Sequence, residues 1–187
     1  MPFNATEYEY LDYFWPVQKF DTGLNKDIMD SIFEKLLSML ELHPKVLMVC
    51  FEIHTYEATS NNKLISKLFK QLTNSLEKHY SSKMDYLWVR EQTAAEGFCH
   101  YHCIVIIDAQ KVRNSFGIKP HLDRACYLLV NVSYYFPTNC NYWVHYQDKD
   151  SFLSAIFRAS YLAKNETKEY TPKGIRKFQG GRKKRSL

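Results

Sequence analysis

Two apolar segments joined by a short turn constrain this chain more than any other feature. Met84–Gln92 (MDYLWVREQ) and His100–Asp108 (HYHCIVIID) are dense in β-branched and aromatic residues, the composition of strands. Only residues 93–99 (TAAEGFC) lie between them, with Gly97 as punctuation. The pair reads as an antiparallel hairpin, which commits the fold to a sheet.

The surroundings supply the other elements. Asn25 or Lys26 through Leu42 reads as a helix, with Ile28, Ile32, Leu36 and Leu40 at helical spacing and Pro44 beyond its end. Lys45–Tyr56 reads as a strand. Ser60–Tyr80 reads as an amphipathic helix with Leu64, Leu68, Leu72 and Leu76 on one stripe. A helix over His121–Tyr135 is predicted to stop before Pro137. A short strand follows over Tyr142–Gln147, and then a helix from Asp150 or Ser151 to about Asn165. From the first strand onward the order is β-α-β-β-α-β-α. It predicts an α+β fold: one antiparallel sheet of the ferredoxin-like kind with helices packed on one face. The other face is left for an arm, a tail or a ligand. The expected organisation is an irregular aromatic arm over 1–22, one domain over 23–172 and a basic tail over 173–187.

Charge sharpens this division. The formal net charge is +5. Lys173, Arg176, Lys177, Arg182, Lys183, Lys184 and Arg185 account for seven positive charges with no acid among them, leaving −2 for residues 1–172. The body is therefore no general attractor of nucleic acid. The tail is either a solvated end or a phosphate contact. Aromatic residues make up 16%, enough to fill a core or to stack on unpaired bases. The opening MPFNATEYEY lacks the basic-then-apolar pattern of a secretion signal, and runs such as VLMVCF are too short to cross a bilayer. Five cysteines, odd in number and without CxxC, read as reduced thiols of a cytoplasmic protein.

The chemistry lies in three places. Alternation along HYHCIVIID puts His100 and His102 on one face, roughly 6.6 Å apart between Cα atoms, while Tyr101 and Cys103 face the other way. Glu91, near the mouth of the facing strand, adds a carboxylate. Two nitrogens and an oxygen with open positions suit a divalent ion: Mg²⁺ or Mn²⁺ bound beside a phosphate, or Zn²⁺. A surface hairpin whose histidines happen to alternate is the plain alternative. Near the last helix's end, Tyr161 and Lys164 stand three apart and share a face. A phenol with a pKa of about 10 attacks poorly until a cation favours its phenolate. A packed tyrosine beside a solvated lysine is the plain reading of the same pair. Third, Glu52 and His54 share a face of Lys45–Tyr56 and are candidates to support the ion or touch DNA, as are Arg90 and Arg158 for phosphates. Tyr170 is a reserve nucleophile without a lysine at the right offset. Cys99 and Cys103 read as structural, and His43, His79, His121 and His145 show no partner pattern.

In this order and spacing, an apolar strand, Glu-(x)8-His-hydrophobic-His and a helical Tyr-x-x-Lys, the chain resembles the HUH endonucleases, among them the rolling-circle Rep initiators of plasmids, phages and single-stranded DNA viruses. The nearest resemblance is to the bacterial prophage group called inovirus Gp2-like, or YagK/YfjJ-type. It is carried by VLMVCFEIHTY, YLWVREQTAAEGFCHYHCIVIID, FRASYLAKNETK and GIRKFQGGRKK. The resemblance implies an HUH palm fold and a metal held by Glu91, His100 and His102. It implies that Tyr161 is the nucleophile that takes the 5′ phosphate and frees a 3′ hydroxyl, assisted by Lys164. The bulky Tyr101 between the histidines departs from the pattern, and a single YxxK tyrosine implies single-tyrosine chemistry. The expected activity is metal-dependent nicking and joining of single-stranded or hairpin DNA at the replication origin of a phage or mobile element. A host helicase is the expected partner, since the chain has no GxxxxGK[ST] loop. The expected location is the bacterial cytoplasm. A non-catalytic single-stranded nucleic-acid-binding protein on a ferredoxin-like fold is the competing reading; its affinity would survive loss of both histidines.

Overall fold

The computed structural model describes residues 4–56, 61–92, 98–166 and 174–181. Its elements run β1 (Ala5–Tyr10), β2 (Tyr13–Gln18), α1 (Lys26–Leu42), β3 (Lys45–Thr55), α2 (Lys63–Tyr80), β4 (Met84–Gln92), β5 (Cys99–Asp108), α3 (Ser115–Tyr127), β6 (Val132–Tyr135), β7 (Asn141–His145), α4 (Lys149–Ala159), a 3-10 turn over Ser160–Ala163, and β8 (Phe178–Gly180). Among the described residues, β1 and β2 pair only with each other. The other strands form one sheet in the order β6-β3-β5-β4-β8, with β7 also on β3, and every pairing is antiparallel. The unit β3-α2-β4-β5-α3-β6 is the βαββαβ arrangement that the α+β, ferredoxin-like reading expects.

Helices cover both faces of the sheet, where the sequence reading packs them on one. Leu47, Val49 and Phe51 of β3 pack with α2 and α3. Val46, Met48 and Cys50, which alternate with them, pack with α1, α4 and β2. The signal was the unbroken apolar run VLMVCF: a strand solvated on one side alternates, and a strand buried on both does not. Each large apolar side chain buried this way contributes on the order of 1.5–3 kcal/mol.

Three further local readings are corrected. Residues 5–18, expected as an irregular arm, form the β1–β2 hairpin, with Tyr8, Tyr10 and Trp15 packed on the α1 side of the core. Its two turn residues, Leu11 and Asp12, hold left-handed φ values of 51° and 61°; neither is the glycine that normally announces such a turn. The third helix begins at Ser115, capped by Asn114, and runs through Pro120 instead of starting after it. It ends at Tyr127, and residues 132–135 form β6. Finally, α4 is capped by Asp148 and stops at Ala159; the expected remainder of the helix is the 3-10 turn. The expected turn over 93–97, including Gly97, lies outside the described residues, as do Tyr170, Lys173 and Arg182 to Arg185.

The chain after residue 174 returns to the sheet. The Arg90 amide donates to the Lys177 carbonyl, and β8 then closes the outer edge of β4. Gly180 and Gly181 are needed for this approach: a Cβ at Gly180 would meet the Tyr86 carbonyl oxygen at 2.7 Å, and one at Gly181 would meet Asp85 Oδ1 at 2.3 Å. Lys35 locks the seam by donating to both oxygens of Asp85 and to the Gly181 carbonyl.

Candidate metal centre and active site

The cluster forms where the sheet extends past α4, on the α1 side. In the register, Glu91 lies directly opposite His100, and His102 lies opposite Glu52 on the other flank of β5. Directly paired residues share a face. The central strand thus presents two imidazoles between a carboxylate from β4 and a carboxylate from β3.

Glu91 Oε2 is the hub. It lies 3.3 Å from His100 Nε2, 3.1 Å from His102 Nε2 and 3.4 Å from Lys164 Nζ. Glu91 is 1% exposed, His102 8% and His100 28%, so the cluster opens to solvent through His100. Burial disfavours ionisation of Glu91, but the two imidazoles and the Lys164 charge override it and hold the carboxyl well below the usual range. Burial likewise opposes charge on His102, yet Glu52 and Glu91 override it and raise its pKa. Glu52 sits 3.3 Å from His102 Nδ1 and 3.2 Å from His54 Nε2. Its contact with His102 is the largest influence on its own pKa, which is held down to about 2.

The ligand atoms of Glu91, His100 and His102 all lie within 4.8 Å of one another, a set able to hold a metal ion. The residues fit such an ion. Nε2 of His102 is buried and, although close to Glu91, is not aligned to hydrogen-bond it. Its other nitrogen faces the Glu52 carboxylate, the partner that fixes tautomer and ring orientation in metal-ligating histidines.

Tyr161 and Lys164 join this cluster. Both belong to the 3-10 turn and its cap, in which residues three apart eclipse. Lys164 Nζ therefore donates to the Tyr161 hydroxyl at 2.8 Å while reaching Glu91. The Tyr161 ring stands edge-on to His102 with centroids 5.2 Å apart. Burial lowers the Lys164 pKa, but the Tyr161 hydrogen bond and Glu91 raise it further, so it is an ammonium.

The N-terminal segment clamps the turn, a role no local sequence signal announced. The Gln18 amide donates to Ser160 Oγ and its side chain to the Phe157 carbonyl. The Asn25 amide donates to Ala163 O and the Asn165 amide to Gly23 O, flanking a bridge between Leu24 and Lys164. Phe20 packs edge-on against Tyr161.

Among the other candidates, Arg158 reaches a cavity of about 20 Å³ shared with Glu52, His102 and Tyr161. His54 stacks on His100. Arg90 does not join them. It is wholly buried on the opposite face, donating to Asn61, Asn62 and Tyr101 and touching Cys99. It adjoins Glu91 in a strand, so alternation turns it away. Arg176 and Lys177 lie where the returning chain meets Asn62 and Arg90.

Fold and site together define an α+β domain whose antiparallel sheet carries a two-histidine, one-carboxylate centre in contact with a tyrosine–lysine pair. The model of the family described as replication-associated protein ORF2/G2P matches residues 47–177, and the chain belongs to that family. No curated protein and no solved structure matches it significantly. Among the described residues no helix is long and apolar enough to cross a membrane.

Proposed function

We propose that the protein is a single-tyrosine HUH endonuclease that nicks and rejoins single-stranded or hairpin DNA at an origin, starting rolling-circle replication of a phage or mobile element. Membership of a replication-associated family supports the process. The observation that carries the chemistry is Lys164, whose ammonium bridges the Tyr161 hydroxyl and the Glu91 carboxylate. A nucleophile and a cation-binding cluster are thereby held together.

Glu91, His100 and His102 are the residues that would hold the ion, with Mg²⁺ or Mn²⁺ as the physiological choice. Bound there, a divalent ion supplies charge neutralisation and polarisation of the scissile phosphate. The Tyr161 hydroxyl gives its proton to solvent as it attacks, and the Lys164 ammonium stabilises the charge building on its oxygen. The Tyr161 oxygen forms a bond to phosphorus as the bond to the 3′ oxygen breaks. The 3′ oxygen leaves as a hydroxyl after taking a proton, and the 5′ phosphate stays on Tyr161. Glu52 orients His102. Exposed rings of Tyr56, His54 and Tyr135 border the same face and offer stacking surfaces for unpaired bases. Arg158, which lines the same small cavity as Tyr161, with Arg176, Lys177 and the remaining tail cations Lys173, Arg182, Lys183, Lys184 and Arg185, would contact phosphates. A bacterial cytoplasmic setting, a host helicase and the inovirus Gp2-like subgroup complete this reading.

The test is incubation with circular single-stranded DNA and Mn²⁺, followed by denaturing electrophoresis. A covalent protein–DNA species is expected, absent in Tyr161→Phe and after chelation. The same species in Tyr161→Phe removes Tyr161 as nucleophile. Metal-independent binding without any adduct, unchanged in His100→Ala/His102→Ala, would favour the non-catalytic reading.

A further inference from the structure

The opposite side of the molecule has its own charge pattern. On α2, Lys63, Lys67, Lys70, Asn74 and Lys78 follow one another at helical spacing and are all exposed. They lie opposite the buried stripe of Ile65, Leu68, Phe69, Leu72 and Leu76. Glu77, the one acid of the helix, is turned inward to accept from the Met84 amide. The lysines engaged in ion pairs among the described residues are Lys26, Lys35, Lys119 and Lys164, none of them on α2. From Lys63 to Lys78 the row extends ~22 Å, at 1.5 Å per residue.

A groove of about 330 Å³ between α2 and α3 continues this surface. Gln71, Asn74, Ser75, Lys78, His121 and Arg124 line it, with no carboxylate among the described residues that do. Burial, then the nearby His79 and Arg124, hold the His121 pKa down, as a positive field does. Across the sheet the balance reverses: residues 4–42, which form β1, β2 and α1, carry eight carboxylates against three lysines. The modest charge of the body thus hides a polarity, with one layer acidic and the other basic.

We propose that the exposed face of α2 and its groove against α3 form a second nucleic-acid surface, which takes the phosphate backbone of duplex DNA flanking the strand held at the metal centre. The proposal rests on the metal face being a DNA site, and extends it. A straight row of point charges with no ring among its members suits phosphates and not unpaired bases, which need stacking partners. The rings Tyr56, His54 and Tyr135 are on the other face.

The experiment is metal-free binding of a short blunt fluorescent duplex, titrated with salt, by the full chain. Lys67→Glu/Lys70→Glu/Lys78→Glu should lower affinity roughly ten- to hundredfold and reduce the slope of log affinity against log salt by about 3, at roughly 0.9 per phosphate contact. The corresponding Lys→Gln set, which preserves helix propensity, should show the same reduction in slope with a smaller loss; thermal melting confirms that both sets fold. Reversals on the other layer, Lys19→Glu/Lys26→Glu/Lys149→Glu, should leave affinity near wild type. Adduct formation on a short single strand with Mn²⁺ should persist in the α2 variants. Unchanged duplex binding in both α2 sets, or an equal loss in the control set, overturns the proposal. Tighter binding of a single strand of the same length, lost in the same variants, assigns the surface to unpaired DNA and overturns the duplex reading. If the wild type forms no adduct while duplex affinity still depends on α2, the nicking reading fails and this surface stands.

Discussion

Lys164 holds its ammonium 2.8 Å from the Tyr161 hydroxyl and 4.2 Å from the centre of the same ring. A cation at that distance stabilises the negative charge that builds on the oxygen as it attacks. Lys164→Met is expected to lower the rate of adduct formation by about 10²-fold, the scale for losing one charged donor at a reacting oxygen. Manganese affinity measured by calorimetry should change little. A rate equal to that of the wild type would mean that Lys164 only packs the turn.

Glu52 grips the imidazole that Glu91 also faces. Glu52→Gln removes the carboxylate behind His102 and should weaken metal binding by about 10–100-fold, the usual cost of losing such a supporting partner. Calorimetry with Mn²⁺ would measure it, and wild-type affinity in the variant would remove Glu52 from this role.

The same contacts set a pH dependence. Glu52, held down to about 2, contributes stability that is present above its ordinary 4.5 and lost as pH falls toward 2. His102, raised above 6.5, contributes stability that is complete below 6.5 and lost as pH rises past its folded value. The cluster alone therefore stabilises the fold most between those limits. Metal binding needs neutral imidazole, so the ion's contribution should grow as pH rises. Melting curves at about pH 5.5 and about pH 8 should show a larger Mn²⁺-induced increase at the higher pH, near 2.7 kcal/mol at a hundredfold excess over Kd. A larger increase at the lower pH would exclude His102 as a ligand.

Gln18 fastens the turn that carries Tyr161 without touching Glu91, His100 or His102. Gln18→Ala should slow adduct formation several-fold while metal affinity holds, because misplacing a reacting group is costly even when it is present. Equal rates for Gln18→Ala and wild type would show that the turn keeps its geometry unaided.

Gly180→Ala should destabilise the protein by ~1–3 kcal/mol, the range for forcing a methyl into packed structure. The added carbon meets the backbone oxygen of Tyr86, which a side-chain rotation does not relieve. Denaturant unfolding would measure it, and a neutral effect would mean that β8 detaches at little cost.

Strand alternation alone made His100 and His102 legible as a pair, and the facing strand supplied Glu91. The same rule applied to Arg90 would have turned it from the site. Glu52 was harder to place: its contact with His102 depends on β3 pairing with β5, a register between distant segments that no local pattern states. The N-terminal hairpin was hidden because Leu11 and Asp12 adopt positive φ without glycine. The expected start of α3 fell at His121, yet the helix begins at Ser115 behind its Asn114 cap and carries Pro120 in its second turn. The clamp on Tyr161 joins residues some 140 positions apart, beyond any motif.

That clamp determines where mechanical load goes. Ala163 and Asn165 are stitched to Asn25 and Gly23, at the entry to α1, and Ser160 to Gln18 at the end of β2. In the proposed reaction, a DNA end joined to Tyr161 and drawn away would pull on the α1 layer and the sheet behind it instead of peeling off a loop.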